Sequence, residues 1–209
     1  MCIRDSVYID DPFQVAELVP EVAFDFPAQQ SNFLSNVSIV RLGQSRSCDA
    51  GESLWSDAAV GRGRIDDCFA IDVSARDDAV VFFLNHQLSN GLVRLSDEAC
   101  ASRPLARIVR ADDRVRLGVE AIQSGDWSEG DGWSLSPRYD AFYVIASTDT
   151  DASRALASHI ERLPQRCSAS VRPGLEGNEL KRWLEELAEI TSNWPEAIDW
   201  RSVRVKEVY

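Results

Sequence analysis

Histidine is almost missing from this chain, with 2 in 209 residues. Imidazole is the side chain on which acid–base and metal chemistry most often draw, so its scarcity leaves little room for such sites. Other omissions narrow the field further. No stretch approaches the roughly 18 consecutive apolar residues of a membrane-spanning helix, which excludes a helical span. No cluster of lysine and arginine occurs, and nucleic acid needs one to neutralise its phosphates. A GxSxG elbow and an HExxH pair are both absent. Gly61-Arg62-Gly63-Arg64 has glycines but not the Lys-Ser/Thr of a phosphate loop. Internal repeats and low-complexity tracts are lacking as well.

What is present describes an acidic folded chain. Hydrophobic residues make up 44% and charged residues 27% of the sequence, and the net charge is -12. That balance suits one domain with a real core. The charge is uneven: residues 1–150 hold 24 acidic and 13 basic side chains, a difference of -11, while residues 151–209 hold 10 and 9, a difference of -1. A surface far from its isoelectric point is the plain meaning. A basic protein or neighbouring domain as partner is the sharper one.

The opening residues Met1-Cys2-Ile3-Arg4-Asp5-Ser6 read as a translation of a sequencing-library transposon end. The expectation is a fragment from assembled environmental DNA whose native start is missing, so no signal peptide is readable. Setting Cys2 aside leaves Cys48, Cys68, Cys100 and Cys167, separated by 20, 32 and 67 residues. These spacings fit neither a zinc ribbon nor a CxxC redox pair. Two disulfides in an exported protein and four idle thiols in a cytosolic one are both ordinary. The reading leans to the cytoplasm, with no cofactor.

Periodicity organises the chain into three parts. Residues 1–35 are an irregular peripheral segment, residues 36–148 a β-rich domain, and residues 149–209 a helical part packed on the same core. A short strand is expected over Val37–Leu42, then a long turn-prone connection from Gly43 to Gly63. Phe69, Ile71 and Val73 alternate in the next strand, and Asp77-Asp78 turn the chain. The run Val80-Val81-Phe82-Phe83-Leu84 is too short for an ordinary helix and reads as a central strand. Asn90-Gly91 supplies a type I′ hairpin signal. Ile108-Val109, Val115–Val119, Trp133–Leu135 and Phe142–Ala146 add strands, with a surface loop over Gly125–Gly132. From Asp149 or Asp151 the period becomes 3.6, through Ala152, Ala155, Leu156 and Leu163, until Pro164. A second amphipathic helix runs from about Gly177 to Trp194, with Asn178 as its cap and Trp183 and Trp194 packing it down. Val203 and Val205 mark a last strand. The fold class is α+β: a mostly antiparallel sheet or sandwich followed by two C-terminal amphipathic helices and a short terminal strand.

Candidate chemistry is thin. His86 falls at a strand end and could partner Cys48, Cys68 or Cys100 as a nucleophile pair. His159 stands beside an apolar stripe, where a solvated or capping imidazole is expected. Asp126, Glu129 and Asp131 share one loop, but their spacing is not that of a calcium loop. Trp127 in that loop is expected to pack, with an exposed aromatic that anchors a partner as the alternative.

One resemblance orders these elements. The alternating strand Phe69-Ala70-Ile71-Asp72-Val73, an acidic turn, the strand Val80–Leu84, a polar tip Asn85–Asn90 and the late strand Phe142–Ser147 resemble a β-rich bacterial accessory domain found beside caspase-like peptidases and protein kinases. The likeness spans residues 36–148. Where that family's first strand carries Gly-Tyr-Leu, this chain has Cys68-Phe69-Ala70, and its Phe-Pro-Asn tip is reduced to Leu84-Asn85. The resemblance implies no catalytic residue. It implies a noncatalytic interaction or accessory module of a larger signalling protein. The alternative is a small cysteine-dependent hydrolase using His86.

Overall fold

The computed structural model describes residues 32–44, 53–55, 60–63, 67–87, 91–95, 106–117, 139–167, 170–171 and 173–207. Strands come first: β1 (Leu34–Gln44), β2 (Ser53–Trp55), β3 (Val60–Gly63), β4 (Asp67–Ala75), β5 (Ala79–Gln87), β6 (Gly91–Arg94), β7 (Ala106–Val109), β8 (Arg114–Leu117) and β9 (Tyr139–Ser147). Helix α1 (Thr150–Ile160), a two-stranded ribbon of β10 (Arg166–Cys167) and β11 (Ser170–Val171), helix α2 (Gly177–Asn193) and β12 (Ile198–Glu207) follow. The expected α+β class is therefore what the chain adopts.

Two sheets and a helical layer stack in three tiers. One sheet has the order β2-β1-β4-β8; the other runs β3-β12-β9-β5-β6, with β7 also on β5. Every pairing among these is antiparallel except β3 with β12. Ile71, Val73 and Ala75 of β4 meet Val81, Phe83, Phe142, Val144 and Ala146 of β5 and β9 between the sheets. Phe82, Leu84, Tyr143 and Ile145, the alternate residues of the same two strands, meet Leu156, Ile160, Leu180, Trp183 and Leu187 of the helices. Strands β5 and β9 are thus buried on both faces, which is why their sequences run apolar without alternation. The helices close a second apolar cluster across this shared sheet.

Helix α1 begins where sequence places it. Asp149 Oδ1 accepts from the backbone N–H groups of Asp151 at 2.9 Å and Ala152 at 2.8 Å, satisfying two donors the first turn leaves open. Helix α2 begins differently. Its cap is Glu176, with no side-chain hydrogen bond, in place of the expected Asn178. Here the bent entry comes from Gly177 at φ +54°, a conformation open to glycine.

Two further expectations change in detail. The Gly43–Gly63 connection is broken by β2 and β3, which lie at sheet edges and gain their pairing from backbone ladders, a signal side-chain periodicity does not carry. A two-residue turn centred on Asn90-Gly91 would set Ser89 opposite Leu92. Instead His86 faces Leu92 and Gln87 faces Gly91, so Gly91 belongs to the ladder. Its φ of +72° and the Leu175 carbonyl, 2.5 Å from where a Cβ would stand, account for glycine there. The expected strand Trp133–Leu135, the residue Val119 and the loop Gly125–Gly132 lie outside the described residues, as does almost all of the segment 1–35.

Candidate functional site

The polar exceptions to the two apolar clusters are the places to look for function, because burying such groups is costly unless they are engaged. On the helix-facing side of the larger sheet, alternation carries His86 behind Phe82 and Leu84. Leu92 and Ala141 stand directly across from it, and Arg94 and Tyr143 flank Leu84 in the adjacent row. His86 is only 6% exposed. Desolvation pushes its pKa down to about 4, so the ring is neutral near pH 7. Arg94, also buried, directs Nη2 to Gln165 Oε1 at 3.4 Å. Burial lowers its pKa, and the charge of Glu161 acts in the opposite direction.

The second imidazole joins the two helices. His159 is 4% exposed and stacks on the Trp183 indole with centroids 4.5 Å apart. Its Nε2–H donates to the Trp183 carbonyl at 3.0 Å, while the indole Nε1–H returns a bond to the His159 carbonyl at 3.3 Å. Nδ1 lies 3.7 Å from Glu186 Oε2, and that carboxylate is also held by Arg162. Burial lowers the His159 pKa; the Trp183 carbonyl and Glu186 oppose this shift, and Arg162 adds to it. The expected solvated or capping imidazole is therefore corrected. The ring is a buried fastener between helices, drawn in because α1 must meet the bulky Trp183 on the same stripe.

Two aspartates play comparable roles in the sandwich. Asp199 on β12 is fully buried and accepts from the Leu34 backbone N–H at 2.8 Å, while Arg201 Nη2 reaches the Leu34 carbonyl at 3.4 Å. The start of β1 is thereby tied to the opposite sheet. Desolvation raises the Asp199 pKa, against the lowering influence of the Leu34 N–H and Arg201. Asp72 on β4 points away from the sandwich interior and is 0% exposed, and it pairs with Arg114, which is 51% exposed. Beside it Asn36 Nδ2 donates to Ser38 Oγ at 3.3 Å. Asp78 binds Arg110 Nη1 at 2.9 Å and the Ala111 backbone N–H at 2.8 Å, and these bonds lower its pKa.

Of the sequence-based candidates, the structure describes the side chain of His86 and the backbone of Cys68. His86 occupies its expected strand end, on the helix-facing side of the larger sheet. The strand bearing Cys68, β4, belongs to the other sheet, which packs on the opposite face. Cys48, Cys100, Asp126, Trp127, Glu129 and Asp131 lie outside the described residues. Among the described residues, no three His, Cys, Asp or Glu side chains gather as metal ligands, and no helix is long and apolar enough to cross a membrane. Trp183 and Trp194 pack the second helix as expected. Sequence reading passed over Asp199 and Arg94. Their only local signal is a charge set inside an apolar strand, as in Ile198-Asp199-Trp200 and Leu92-Val93-Arg94-Leu95.

Comparison with known protein families, with characterised proteins and with solved structures returns no match.

Proposed function

We propose that the chain is a noncatalytic interaction or accessory module of a larger bacterial signalling protein, the role implied by the resemblance over residues 36–148. One observation carries the reading: three of the buried ionisable groups among the described residues are spent on joining elements. His159 bridges α1 to α2, Asp199 bridges β12 to β1, and Asp72 pairs with Arg114 of the neighbouring strand β8. Catalytic acids and bases need access to a substrate, and groups committed to such bridges offer little.

Recognition on this reading is surface complementarity between apolar anchors and a polar rim. Ile108 on β7 supports it, being a large hydrophobic side chain 64% exposed on a short strand. Trp127, with Asp126, Glu129 and Asp131 around it in sequence, is the second proposed anchor. The charge of -12 favours a partner with a basic face.

The test uses the tagged chain as bait in its host, beside Ile108→Asp and Trp127→Ala. The expected result is a defined protein that copurifies with the wild type, is lost with at least one variant, and binds less well as salt rises. Turnover of a peptide or ester by the purified chain, abolished by His86→Gln or Cys68→Ser and with no copurifying partner, would overturn the proposal in favour of a hydrolase.

A further inference from the structure

We draw no further inference here: the strongest candidate, the surface patch around Ile108 on strand β7 of the larger sheet, carries nothing beyond the anchor already proposed, because nothing in the structure shows what covers it.

Discussion

Replacing His86 by glutamine isolates the energetic consequence of one buried ring. In the unfolded chain the imidazole titrates near 6.5, whereas in the folded chain desolvation holds it at about 4. The folded pKa is depressed, and for a base this means the folded state binds fewer protons. The ring's contribution is intact above the unfolded value and is lost as pH falls from about 6.5 towards 4. At about pH 5 the unfolded ring is almost fully protonated and the folded ring about one-tenth so, a ratio of binding polynomials near 30, or about 2 kcal/mol. At about pH 6 the loss is only about 0.8 kcal/mol, and near pH 7.5 it is negligible. Because His86 is 6% exposed, solvent screening removes little of this. The assay is urea unfolding at the three pH values, followed by fluorescence and circular dichroism. Wild type should lose about 2 kcal/mol more than His86→Gln between about pH 7.5 and 5. Parallel pH profiles, within about 0.5 kcal/mol, would refute the argument that desolvation governs this ring.

Other outcomes follow from features of the same tiers. Asp149→Ala removes the acceptor for two backbone N–H groups of α1 and should cost about 1 kcal/mol by denaturant midpoint, with unchanged m-value. Gly91→Ala sets a methyl against the Leu175 carbonyl at positive φ and should cost about 1–3 kcal/mol, with exchange rising first in 175–180. Trp183→Ala empties the centre of the helical tier and frees His159 from its stack, for an expected loss of about 3–5 kcal/mol in thermal or urea unfolding. Asp199→Ala leaves the buried Leu34 N–H without its acceptor, an expected loss of about 1–3 kcal/mol seen most clearly as faster exchange at Leu34.

Sequence carried the fold further than the site. The switch from alternating to helical periodicity near residue 150 gave the class, and Asp149 with Pro164 bounded α1 closely, because caps and breakers act locally. The uninterrupted apolar run of β5 was readable as a central strand. Its two separate cores were not, since opposite faces of one strand look alike until the partners on each side are known. Strands β2 and β3 were missed because ladder pairing at an edge leaves no periodic mark. His159 looked like a surface group: a polar residue beside an apolar stripe is ambiguous by about one helical position, and only Trp183, 24 residues later, resolves it. Asp199 and Arg94 depend on contacts far away in sequence, with Leu34 and Gln165, which composition and spacing do not encode.

The back-to-back arrangement within β5 has a practical sequel. Phe82 and Phe83 are joined by one peptide bond, yet each ring reports on a different compartment, the first beneath the helices and the second between the sheets. A fluorine label on either ring would give a separate resonance for each compartment from a single dipeptide. The order in which the two signals broaden on acidification would then show which compartment gives way first, without any probe added to the exterior.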